Sequence, residues 1–154
     1  MPLSSTILQR IRKLSLRGRL AMALCCFSGY CVRRGIKHPE VRRFVEHLVR
    51  VLTSEGEELR DWEDERPPLI EAGLGYEYPL DFEQMLAVWG VKENEFRRLI
   101  CNVTEIVFGS LHGAADENGS RSELCEVIEI TQAVGVECPD PSWFEVSAWS
   151  DSSH

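Results

Sequence analysis

The sequence predicts an all-α fold: a single-domain bundle of about six helices, with a long acidic and Pro/Gly-rich loop in the middle. Apolar residues recur at three- and four-residue steps over most of the 154 positions, which places them on one face of a helix. Start and stop residues flank those stripes, among them Gly35, Pro39, Gly90 and Gly135. Strand signals are weak: residues 103–108 also fit a strand, and 144–149 a short one.

The first element is short and amphipathic, carrying Ile7, Leu8, Ile11 and Leu14 behind a Ser4 or Ser5 cap, and Gly18 is expected to divide it from the next. A strong helix then spans 19–34 with apolar positions 20, 23, 24, 27 and 31, stopped by Gly35. His38-Pro39-Glu40 opens the third helix, where proline suits the first turn because its missing N–H has no partner there anyway. Its stripe is Val41, Phe44, Val45, Leu48, Val51 and Leu52, ending near Thr53-Ser54. Residues 55–79 read as a connection, in which Pro67-Pro68 stops any helix and Gly73, Gly75 and Pro79 extend the loop. Asp81 caps a helix holding Phe82, Met85, Leu86 and Trp89. Another begins at Lys92 or Asn94 and carries Phe96, Leu99, Ile100, Val103, Val107 and Phe108. After a loop over 109–119, Ser120 and Glu123 have the spacing of a capping box for a last helix with Leu124, Val127, Ile128, Thr131 and Val134. The tail packs near Pro139 to Phe144 and frays after Trp149, leaving 150–154 as a loose end.

Charge is divided by position. Residues 1–54 form a basic helical part with 11 Lys/Arg against two acids, whereas residues 55–154 carry 6 against 23. The later part divides into the acidic 55–79 connection and an acidic helical part over 80–149. A sequence pI of about 5.0 opposes phosphate binding, so nucleic acid is not expected as a partner. The simplest use of the basic part is docking on the acidic part within the same chain. The longest apolar run, residues 20–27, is far short of the ~20 residues that cross a bilayer. A basic amphipathic stretch can touch an anionic membrane surface, but docking within the chain is the simpler account, so no membrane partner is expected. That run follows a basic stretch, as in a signal peptide, but Leu24 is a poor residue before a cleavage point and helical spacing continues beyond it. A cytoplasmic location is therefore expected. The six cysteines show no CxxC pair and no zinc spacing, and read as small, reduced, buried hydrophobes. No metal, disulfide or cofactor is expected.

Two segments are candidate sites. Glu55, Glu57, Glu58, Asp61, Glu63, Asp64 and Glu65 place seven acids in eleven residues, around Trp62 as an aromatic anchor. Such a run offers carboxylates to a basic partner, which speeds encounter and aids specificity; a solvated linker has the same composition. The loop holding His112 is rich in glycine and alanine and presents one polar tip. His38 is expected to cap a helix or lie at the surface, and His47 has no metal-binding spacing. No Walker loop, GxGxxG or GxSxG is present, so no catalytic residue is assigned.

The strings Arg17-Gly18-Arg19-Leu20-Ala21, His38-Pro39-Glu40, Glu95-Phe96-Arg97-Arg98-Leu99, Glu105-Ile106, Gly109-Ser110-Leu111-His112-Gly113-Ala114-Ala115-Asp116 and Gly119-Ser120 resemble small bacterial helical proteins of unassigned activity. Families of that kind include immunity proteins of bacterial toxin systems. The likeness spans most of the chain and implies a protective, non-enzymatic binder of a protein, most naturally a basic toxin. Two other classes stay open: a structural or regulatory adaptor that self-associates through its charge asymmetry, and a small hydrolase or transferase with a site near His112.

Overall fold

The computed structural model describes residues 3–53, 62, 64–111 and 117–145, the side chains of 110, 111 and 117–119 excepted. Among these the chain is all-α, with seven α-helices and no strand. They are α1 (Ser5–Arg12), α2 (Leu16–Arg34), α3 (Pro39–Val51), α4 (Pro68–Gly73), α5 (Phe82–Val88), α6 (Glu93–Leu111) and α7 (Glu117–Ala133), followed by a 3₁₀ turn (Pro141–Phe144). Residues 103–108 lie within α6, so the strand alternative there is excluded.

Helices α6 and α7 pack on each other, and α2 lies against both. Helix α4 is set between α3 and α6, and the 3₁₀ turn rests on α1 and α2. Every helix sends residues into one apolar core. Phe27 is central to it, with ring centroids 5.1 Å from Phe44 and 6.1 Å from Phe96. Burying each such side chain contributes about 1.5–3 kcal/mol, which is why the apolar stripes outweigh weak local propensities.

Several helix ends follow the expected chemistry. Ser4 Oγ accepts from the Ile7 N–H at 3.2 Å, and His38 Nδ1 accepts from the Glu40 N–H at 3.0 Å with Pro39 in the first turn of α3. Gly35 ends α2 in the left-handed conformation.

Four expectations are corrected. Gly18 does not divide two helices: Ser15 caps α2, its hydroxyl accepting from the Gly18 N–H at 3.0 Å. Glycine is needed there for close approach, since a Cβ would lie 2.7 Å from the Phe144 carbonyl oxygen of the 3₁₀ turn. Pro67-Pro68 starts a helix as well as stopping one, because Pro68 occupies the tolerant first position of α4. The 55–79 connection is thus partly core: Leu69, Ile70 and Ala72 are buried. Asp81 stands at the start of α5, but with φ of 69° its side chain makes no cap hydrogen bond. Ser120 is no cap either, because α7 begins at Glu117; its buried hydroxyl instead accepts from Arg19 NH1 at 2.6 Å.

The basic first part does dock on the acidic remainder. Arg10–Asp140 (3.5 Å), Arg34–Glu95 (3.6 Å) and Arg50–Glu65 (3.2 Å) join the two, beside the Arg19–Ser120 bond. Among the described residues, no helix is long and apolar enough to cross a membrane.

Candidate functional site

Trp62, the tryptophan of the acidic run, is tied to the fold. Trp62 is 0% exposed and lies between the rings of His47, on α3, and Phe108, near the end of α6. The centroid separations are 4.3 Å at 14° and 5.1 Å at 28°, both stacked. Its indole N–H donates to the His47 carbonyl, and the Arg66 guanidinium sits 5.4 Å from the Phe108 ring centroid. The expectation of Trp62 as a partner-facing anchor is therefore corrected. An indole with a stacking partner on each face and a satisfied N–H belongs inside, and no partner reaches it in this state.

On either side of that anchor the sequence is charged, and the described carboxylates beyond it face water. Asp64 and Glu65 are exposed, and Glu65 pairs with Arg50 across a water-accessible gap of the kind that contributes little to stability. Glu55, Glu57, Glu58, Asp61, Glu63 and His112 lie outside the described residues. The structure thus brings Trp62, Asp64 and Glu65 together with His47, Arg50 and Arg66, a set that sequence spacing did not join.

A shallow cleft of about 270 Å³ opens here, lined by Arg43, Glu46, His47, Arg50, Glu65 and Pro67. His47 is only 4% exposed, and its Nε2 finds no hydrogen-bond partner among the described residues. Burial, with the Arg50 cation adding to it, brings the imidazole down from its ordinary 6.5 to about 4, so the ring is neutral at physiological pH. No hydroxyl or thiol among the lining residues stands ready for such a base to activate.

Elsewhere the titratable groups have structural explanations or stand apart. Cys26 and Cys31 are buried, which pushes both thiols up to about 12 and leaves little thiolate; Cys25, beside Cys26 on α2, is exposed. Cys101, Cys125 and Cys138 are half-buried, so only two of the six fit the buried-hydrophobe expectation fully, and all six are unpaired. No group of three or more His, Cys, Asp or Glu side chains suited to a metal ion occurs among the described residues. Glu123 is the titratable residue that sequence reasoning missed. Half-buried on α7 with Glu105 of α6 nearby, its carboxyl is raised from 4.5 to about 7 by burial first and the neighbouring charge second. The capping-box spacing concealed it.

Compared with protein-family models, curated proteins and solved structures, the chain matches none.

Proposed function

We propose that this chain is a non-enzymatic binder of a basic protein, of the immunity type that neutralises a toxin. The observation that supports the reading is the buried Trp62. It is itself fixed against α3 and α6, and the exposed Asp64 and Glu65 follow it closely in the chain. Carboxylates positioned before encounter bind with less ordering cost than those of a free linker, and their field steers a basic partner. Self-association through the charge asymmetry has less support, because three ion pairs already join the basic and acidic parts within one chain.

Rescue tests the proposal. The chain is co-expressed with each growth-inhibiting basic protein encoded beside it. The native chain is expected to restore growth and to capture that protein in a pull-down that weakens as salt rises, since exposed charges are screened within ~10 Å at 0.1 M. The variant Asp61→Lys/Glu63→Lys/Asp64→Lys/Glu65→Lys is expected to fold yet fail to rescue. Rescue undiminished in that variant, or no rescue by the native chain, overturns the reading.

A further inference from the structure

A second surface lies toward the opposite end of α6 from Phe108. Arg97 and Phe108 are separated by ~16 Å along that helix, at 1.5 Å per residue, so this surface is distinct from the Trp62 region. Here a groove of about 660 Å³ runs between the loop before α5 and the outward face of α5, lined among others by Glu77, Leu80, Asp81, Glu83, Ala87 and Arg97.

Two properties of the groove bear on what it binds. First, an apolar side chain of its lining is strongly exposed: Leu80 at 91%, while Val88 at 75% and Tyr76 at 62%, outside the lining, lie close by in the chain. Isolated exposed hydrophobes are ordinary, but this segment of thirteen residues holds three of the seven large ones exposed among the described residues. Helix geometry sets the α5 side of the groove. Phe82 and Leu86 are four apart and face the core, which turns Glu83, Gln84 and Ala87 outward.

Second, the groove's charge is negative and uncommitted. Asp81 makes no cap bond to α5, and among the described residues neither it nor Glu77 nor Glu83 forms an ion pair. The cation in the lining is already engaged. Arg97 Nε donates to Glu93 at 2.9 Å, its NH1 donates to the carbonyls of Ala72 (3.3 Å) and Tyr76 (3.0 Å), and its guanidinium lies 4.2 Å from the Tyr78 ring centroid. Arg97 therefore fixes the groove's wall and leaves the three carboxylates unneutralised.

We infer that this groove docks a basic amphipathic segment of a protein partner, its apolar side chains seated on Leu80 and Ala87 and its Lys or Arg side chains meeting Glu77, Asp81 and Glu83. The charge complementarity selects that occupant, and the inference rests on the reading of the chain as a binder of a basic protein. Helix-in-groove recognition works in this way, with anchors one turn apart supplying affinity and flanking charges supplying orientation.

The test uses the full chain, ¹⁵N-labelled, titrated with a synthetic amphipathic Leu/Lys peptide and, as control, a Leu/Glu peptide of the same pattern. Shifts are expected at residues 76–88 and 97 with the Leu/Lys peptide alone. Leu80→Ser and Glu77→Gln/Glu83→Gln are each expected to raise Kd about tenfold, matching the ~1.4 kcal/mol that one anchor or charge cluster of this exposure supplies. Because Leu80 is almost fully exposed, the first variant is expected to keep its fold, and its unchanged reference spectrum verifies that. Equal binding of the Leu/Glu peptide overturns the inference, as does binding that ignores both variants. Shifts at Ile7 and Val136, which line a separate apolar groove, overturn it too. Shifts confined to Asp64 and Glu65 overturn the groove while leaving the basic-partner reading standing; absent growth rescue is what removes that reading. Concentration-dependent shifts at 76–88 without peptide, with a dimer in sedimentation, assign the face to a second copy and likewise overturn it.

Discussion

Replacing Trp62 with alanine separates a structural tryptophan from a binding one. The indole is fully buried, stacks on His47 and Phe108, and donates its N–H to a carbonyl of α3. Large-to-small changes at such sites cost about 3–5 kcal/mol, and the lost hydrogen bond accounts for about 1 kcal/mol of related loss. A domain of this size has roughly 5–15 kcal/mol in all, so Trp62→Ala removes a large fraction. At about 2–4 °C per kcal/mol, Tm is expected to fall by roughly 6–20 °C. Trp62→Phe keeps an aromatic ring in the stack and loses only the donor and some volume, so a smaller loss of about 1–2 kcal/mol is expected. Urea denaturation followed by circular dichroism measures both, with the slope checking that the unfolded state is unchanged. Asp64→Asn/Glu65→Gln, a change confined to the wet side of the same segment, is expected to stay within about 0.5 kcal/mol. If Trp62→Ala melts within about 2 °C of the native chain, the stacked arrangement does not hold the segment, and the reasoning from it fails.

Gly73→Ala tests the close packing of α4. A Cβ would meet Thr104 Oγ1 and lie 3.0 Å from the Ile100 carbonyl oxygen, so a net loss of about 1–2 kcal/mol is expected despite alanine's better helix propensity. Thr104→Ala should recover part of that loss in a double-mutant cycle, and a stabilising Gly73→Ala refutes the contact. Glu123 gives a pH-dependent prediction. Its folded pKa is raised from 4.5 to about 7, so its favourable contribution is complete below pH 4.5 and is lost as pH rises through 7, where the fold must hold a charged carboxylate. Glu123→Gln removes that cost: chemical denaturation is expected to show about 1–2 kcal/mol of stabilisation at pH 8, discounted for its partial exposure, and almost none at pH 4. Equal stabilisation at both pH values refutes the assignment.

Helix positions were legible wherever an apolar stripe was long. Most of the residues of α2, α3, α6 and α7 that the spacing marks lie in the core, with Val45, Leu52 and Val134 packed at its edge, because burial of a whole face dominates local preference. Short elements were not legible. Helix α4 has six residues, too few to show a period, and its Pro-Pro start and Gly end resemble a loop. What makes it helical is tertiary: Leu69, Ile70 and Ala72 bury against neighbours distant in sequence, and Gly73 lets the chain approach α6. Gly18 and Ser120 misled for the same reason. Each has a local role by type, a breaker and a cap, and each is placed instead by a residue more than a hundred positions away, Phe144 and Arg19 respectively.

For the candidate site, composition located charge but not which side chains turn inward. The acidic run around Trp62 is equally consistent with a linker and with a surface, since carboxylates prefer water in both. The distinction lies in Trp62, whose inward placement depends on His47 and Phe108, fifteen and forty-six positions away. The groove at Leu80 escaped detection for the opposite reason. Its Leu80 side chain reads as core by type, and only the fold leaves it exposed beside Glu77 and Glu83. An acidic face without apolar anchors steers a partner but holds it weakly; one with them acquires the slow dissociation that tight neutralisation requires. If the chain binds a basic protein as proposed, the Leu80 groove would supply residence time and the exposed Asp64 and Glu65 would supply approach.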